Sequence, residues 1–250
     1  MKDDPTDNAM CFICDYGWFL LPLLLIAGLT AYLTRAYWLP PEMGICLEGE
    51  SSVSLKDTIP FQWGDTDVVF AFDQSGSMTR TINGAKKNAK TLMETIASRF
   101  GTERFGVVGL SDYIDFPYRM YQPLTTDYAA VQKAIDGLAL ADGGDIPESY
   151  GRVMYESYTD PNIGWQPNAK RYLVIFGDSY PHDPDPGRDG VLGTGDDLVL
   201  SNVLSQLKVN NITMIFVGDP GGIVDTALLS RWQDWAGKTA GGLSIRCTAP

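Results

Sequence analysis

The stretch "DVVFAFDQSGSMTR", residues 67–80, decides the reading of this chain. An apolar run stops at Asp73, hydroxyls follow at Ser75 and Ser77, and helix-forming sequence begins directly after. A run of this kind without polar alternation is expected of a strand buried on both sheet faces. A carboxylate and two hydroxyls at its end fit three chemistries: a cation site, a phosphoryl-transfer nucleophile, or the cap of the following helix, since Asp and Ser both cap well.

The same grammar recurs downstream. Candidate strands at 67–72, 104–110, 171–177, 212–218 and 243–247 alternate with candidate helices at 80–99, 127–139, 148–158, 198–209 and 224–239. The segment 118–124, "YRMYQPL", reads as a short edge strand. Alternation of this sort predicts a doubly wound α/β domain with a mostly parallel sheet flanked by helices. In such sheets ligands bind beyond the carboxyl ends of the strands. The residues there are Asp73, Ser75 and Ser77, then Asp112, then Asp178, all hard oxygen donors.

"DQSGS" resembles the DxSxS motif of von Willebrand factor type A domains, which in that family forms a metal-ion-dependent adhesion site. "GGDIPES" at 143–149 and "VIFGD" ending at Asp178 stand where the family's later site loops are expected, and the resemblance covers about residues 65 to 247. It implies one magnesium or manganese ion held by Asp73, Ser75, Ser77, Asp178 and either Asp145 or Glu148. Magnesium prefers six oxygen ligands and gives up its waters reluctantly, so neutral hydroxyls with carboxylates suit it. The third loop departs from the threonine common in the family. "DIPE" is closer to the I-like domains of integrin β subunits, which implies Glu148 at the first metal. A neighbouring calcium would then be held by Asp112, Asp145, the Pro147 carbonyl and Glu148. Gly143 stands where those integrins place an asparagine. The alternative is that Asp145 simply replaces the threonine.

A second acidic segment, 179–200, carries Asp183, Asp185, Asp189, Asp196 and Asp197 among glycines. Alternating aspartates and a "DG" pair are features of calcium loops, although no glutamate completes an EF-hand. A solvated turn is the competing reading. His182 is the sole histidine and cannot build a zinc site by itself.

Ahead of the domain lie a tail (1–15), an uncharged run at 16–34 extendable to Leu39, and a turn-rich linker (40–64). At about 1.5 Å rise per residue the 16–39 run is long enough for a transmembrane helix. Tyr16, Trp18, Tyr37 and Trp38 near its ends suit a single membrane anchor, whereas a cleaved leader is the competing reading. Lys2 and Arg35 leave its orientation nearly balanced. Cys46 and Cys247 bracket the domain, as a disulfide in an oxidising compartment would, which places the tail in the cytoplasm and the domain outside it. Cys11 and Cys14 form a lone CxxC, too few ligands for zinc.

The net charge of −12 argues against a nucleic-acid partner. Phosphatases of the haloacid dehalogenase type require a second aspartate where Ser75 stands, and no Walker, serine-hydrolase or zincin motif is present. The expectation is therefore no enzyme but a membrane-anchored module that binds a protein partner's acidic side chain through a cation. The alternative is a structural subunit docked in a larger membrane complex through residues 16–39.

Overall fold

The computed structural model describes residues 65–100, 103–144, 146–218 and 226–246. These belong to the second of the chain's two units, Met43–Pro250. The tail, the 16–39 run, the linker, the four cysteines and Asp145 lie outside the described residues. Among the described residues, no helix is long and apolar enough to cross a membrane.

Among the described residues, six strands form one sheet: β1 (Thr66–Asp73), β2 (Arg104–Leu110), β3 (Arg119–Thr125), β4 (Lys170–Gly177), β5 (Ile212–Gly218) and β6 (Leu243–Arg246). Their spatial order is β3-β2-β1-β4-β5-β6. β1 pairs parallel with both β2 and β4, β5 pairs parallel with β4 and β6, and only β3 runs antiparallel, at the edge. Pro123 sits in β3, where an edge strand tolerates its missing N–H.

Five α-helices of the described residues cover the sheet: α1 (Ile82–Phe100), α2 (Tyr128–Asp136), α3 (Tyr150–Thr159), α4 (Leu200–Val209) and α5 (Thr226–Gly237). Their two layers explain why β1 is apolar throughout. Val68, Phe70 and Phe72 point into one core with α1 residues Leu92, Met93 and Ile96 and with Val131 and Ile135 of α2. Val69 and Ala71 point into the other, with Val153 and Met154 of α3, Leu204 of α4 and Trp232 of α5. Successive side chains alternate between faces, and here both faces are dry. Phe72 stacks on Phe176 of β4 at 5.0 Å and Phe70 on Phe105 of β2 at 5.8 Å, which ties the three central strands together.

Several helix boundaries shift from the periodicity reading, and each shift has a local cause. Residues 76–80 form a short 3-10 turn ahead of α1, with Met78 buried. Glu148 and Ser149 precede α3 because the Glu148 backbone pairs with the next loop: its N–H donates to the Tyr180 carbonyl at 2.9 Å, and His182 N–H donates to its carbonyl at 3.1 Å. Leu198 precedes α4 because it exchanges two backbone hydrogen bonds of 2.8 Å with Asp185. Asp127 caps α2 by accepting from Ala130 N–H at 3.1 Å.

The chain leaves β1 toward β2 on one side, while β4 lies on the other. The carboxyl ends of β1 and β4 thus meet where the strand order reverses, the place where open α/β sheets bind ligands.

Candidate metal centre

Asp73, the last residue of β1, is fully buried. One of its oxygens, Oδ1, accepts from the Ser75 N–H at 2.8 Å and from the Ser75 hydroxyl at 2.6 Å. The Ser77 hydroxyl donates to Asp178 Oδ1 at 2.8 Å, and the Ser75 and Ser77 oxygens lie 3.0 Å apart. Each hydroxyl has one proton, and each proton has a carboxylate to go to. The two hydroxyl oxygens then present lone pairs to the same small space between β1 and β4. Such a set is suited to a hard cation.

Glu148 closes the third side. It is 3% exposed, and its Oε2 has no hydrogen-bond partner. Burial pushes its carboxyl up to about 9, aided by the charges of Asp73 and Asp112. Burial likewise pushes Asp73 up to about 6, against the lowering effect of its hydrogen bonds from Ser75 and Tyr150. Buried carboxylates that repel one another in this way are stabilised as anions by hydrogen-bond donors and, further, by a counter-charge. Among the described residues, no three His, Cys, Asp or Glu side chains gather closely enough to make a metal cluster by themselves. The hydroxyls of Ser75 and Ser77 are integral to any such site.

Gly143 brings the third loop against this group. Its φ is +79°, and a Cβ there would lie 2.7 Å from Ser75 Cβ and 3.1 Å from Glu148 Oε1. Its N–H donates to Asp115 Oδ2 at 2.8 Å. An asparagine, as in the resembling integrins, has no room at this position. Asp112 contacts His182 Nε2 at 2.8 Å, so the histidine is attached to the site's edge and not free in a loop. The structure brings Asp112 and Glu148 into electrostatic range of one another. Asp145, the remaining side chain expected at the neighbouring calcium, is outside the described residues.

Three positions that the motif reading passes over hold the site together. The hydroxyl of Tyr150, on α3, donates to Asp73 Oδ2 and accepts from the backbone N–H groups of Asp178, at 3.1 Å, and Ser179, at 3.3 Å. Gln74, an unspecified position inside DxSxS, is fully buried and spans from the β2 end to the third loop. Its N–H donates to the Leu110 carbonyl at 2.8 Å, its carbonyl accepts from Ala141 N–H at 2.6 Å, and its side-chain amide donates to the Ala139 carbonyl. Trp232 of α5 donates from Nε1 to the Ser179 carbonyl at 3.0 Å. No sequence period singles these out. The only signal is glycine: a Cβ at Gly177 would lie 2.7 Å from Tyr150 Cε1, so the tyrosine needs a glycine beside it.

The acidic segment does not converge as the alternating aspartates led us to expect. Asp183 accepts from Leu200 N–H at 3.0 Å, at the start of α4. Asp185 is fully buried and accepts from the Tyr113 hydroxyl at 2.6 Å and from Gly187 N–H at 3.1 Å. Asp189 accepts from Val191 N–H at 2.8 Å. Asp196 accepts from the N–H groups of Arg188 and Asp189 at 2.7 and 3.1 Å, and Asp197 from that of Gly193 at 2.7 Å. These carboxylates satisfy separate backbone amides, as aspartates do in tight turns.

The family model of the von Willebrand factor type A domain matches residues 67–237. The solved SpRpn10 VWA domain superposes with a TM-score of 0.51 at 14% identity, covering 74% of this chain and 90% of that one. The conserved hypothetical protein BatB from Bacteroides thetaiotaomicron gives a TM-score of 0.49 at 13% identity, covering 74% and 91%. A search of curated proteins by sequence gave no match. At 14% identity the likeness to the SpRpn10 domain is one of fold.

Proposed function

The chain belongs to the von Willebrand factor type A family, with its domain at residues 67–237, and on that premise we propose that it binds a protein partner through a divalent cation held between β1 and β4. The observation that carries the reading is the Ser75–Ser77 hydroxyl pair, 3.0 Å apart, with each proton directed to a carboxylate of a different strand. Ser75, Ser77, Asp178 and Glu148 would hold magnesium or manganese, with Asp73 anchoring Ser75. A bound cation would neutralise the buried carboxylates and offer a position to an oxygen from outside, best filled by a partner's Asp or Glu.

The lining of this position is a set of hydroxyl and carboxylate oxygens, which favours binding of a hard cation and, through it, of an outside oxygen. His182, the sole histidine, is engaged with Asp112. Type A domains commonly mediate protein interactions, and this site lies at the carboxyl ends of the two central strands, with Ser77 exposed toward an approaching partner. The uncharged run at 16–34 supports placing the domain at a membrane surface, on the outer side if Cys46 and Cys247 pair. The competing reading, a subunit docked through that run, is favoured by the same sequence feature and is separated below.

The test is titration of Mg2+ into the wild type and into Asp73→Ala. Removing the Ser75 anchor is expected to weaken binding by about 10–100-fold, the range for groups that orient metal ligands. Equal affinity in the two proteins would sink the assignment.

A further inference from the structure

We propose that Tyr150 is the positioning residue of this site: its hydroxyl locks the β1 and β4 carboxylates into the arrangement that receives the cation. The inference rests on the reading of this end of the sheet as a cation site. It concerns a side chain from a third element, 77 residues from Asp73 and 28 from Asp178 in sequence.

The hydroxyl is used to capacity. Its proton goes to Asp73 Oδ2, and its oxygen receives the N–H groups of Asp178 and Ser179 at 3.1 and 3.3 Å. One phenol oxygen therefore sets the rotamer of the β1 carboxylate and the backbone direction of the loop leaving β4. Asp73 Oδ1 in turn holds Ser75, and Asp178 Oδ1 holds Ser77. Both halves of the oxygen set trace back to Tyr150, and it touches neither hydroxyl directly.

The ring has little freedom to move. Tyr150 is fully buried. It meets Trp232 edge-on at 5.1 Å and Phe216 at 6.4 Å, and those two stack at 4.0 Å with planes 2° apart. Gly177 leaves the space beside Tyr150 Cε1 that any side chain there would fill. Trp232 fixes the Ser179 carbonyl at 3.0 Å while Tyr150 fixes the Ser179 N–H, so the peptide units flanking Ser179 are held by α5 and α3 together. A phenol with a purely space-filling role would not require three polar partners on two strand ends.

The experiment titrates Mn2+ into the full chain as wild type, Tyr150→Phe and Asp73→Ala, at a temperature where each is folded by near-ultraviolet circular dichroism. Tyr150→Phe keeps the ring and removes only the oxygen. Mn2+ affinity is expected to fall about tenfold or more, the scale of an outer-shell loss. Wild-type affinity in Tyr150→Phe with weak binding in Asp73→Ala overturns the positioning role and leaves the cation site standing. Absence of Mn2+ binding in the wild type, or undiminished binding in Asp73→Ala, overturns the site and this inference together. If Tyr150→Phe does not fold, the wild type carries the test. With tyrosines isotopically labelled at Cζ, the resonance of the solvent-inaccessible phenol must move on saturation with Mg2+, and an unmoved resonance overturns the inference.

Discussion

At position 143 the backbone adopts φ +79°, a conformation glycine enters without steric cost. The same residue lies against Ser75, so its missing side chain serves both the turn and the approach of the third loop. Gly143→Ala is expected to lose about 1–3 kcal/mol of stability, the scale of forced left-handed backbone, and to weaken Mg2+ binding beyond what that loss explains. Urea denaturation and a Mg2+ titration check the two effects separately, and a variant unchanged in both would show that the loop tolerates the methyl. Gly177 makes the complementary case. Its φ is ordinary, and its requirement comes wholly from the Tyr150 ring beside it.

Among the elements, α3 joins the site to the acidic segment. Glu156 is buried there and accepts from Arg152 Nε at 2.7 Å and from Arg188 Nε and a terminal guanidinium nitrogen at 2.9 and 2.8 Å. Burial by itself would raise its carboxyl, but hydrogen bonds from Arg188 and Arg152 outweigh that and hold it below the ordinary 4.5. A carboxylate depressed in the fold stabilises above its unfolded pKa, and that stability is lost as pH falls through the folded value. The contribution is therefore full at neutral pH and drains away below about 4.5. Glu156→Gln should lose about 1–3 kcal/mol at neutral pH, as expected for broken charged hydrogen bonds. It should also show a shallower decline in stability on acidification than the wild type, and parallel declines would refute the assignment. On the opposite flank, α5 contributes Trp232, fully buried and stacked on Phe216. Trp232→Ala is predicted to cost about 3–5 kcal/mol through the cavity it leaves, read from the denaturation midpoint.

For the molecule as a whole, with its net charge of −12, the proposed cation would be a stability determinant as well as a ligand. A ligand present at about a hundredfold excess over its dissociation constant adds about 2.7 kcal/mol to a fold that alone can bind it. Thermal unfolding should therefore occur at lower temperature in chelator than in Mg2+, and coincident transitions would count against the site. The two functional readings separate at this scale. Partner capture lost in chelator by both the full chain and a truncated chain starting at Pro41 supports cation-mediated recognition. Capture that persists in chelator but disappears on truncation supports docking through residues 16–39.

The sequence by itself determined the strand ends and the motif. An apolar run shows where the two-sided burial of β1 stops, so Asp73 and Asp178 were legible as residues at the carboxyl edge, with Ser75 and Ser77 fixed beside them by spacing alone. The segment 118–124 was legible as a short edge strand, and the structure places β3 at the edge with Pro123 in it. Only the tertiary structure decided which side chains hold these groups in place. Tyr150 reads as one more apolar residue of a helix, and Gln74 as a free position within a motif. Their partners sit on segments far away in sequence, and hydrogen bonding across such separations has no local period. The acidic segment shows the same limit from the other direction. Alternating aspartates are compatible with a cation loop and with aspartate-capped turns, because both use the same carboxylates and glycines. Where the backbone N–H groups point is set by the turns themselves, and here they point at the carboxylates of Asp189, Asp196 and Asp197, each of which serves its own turn.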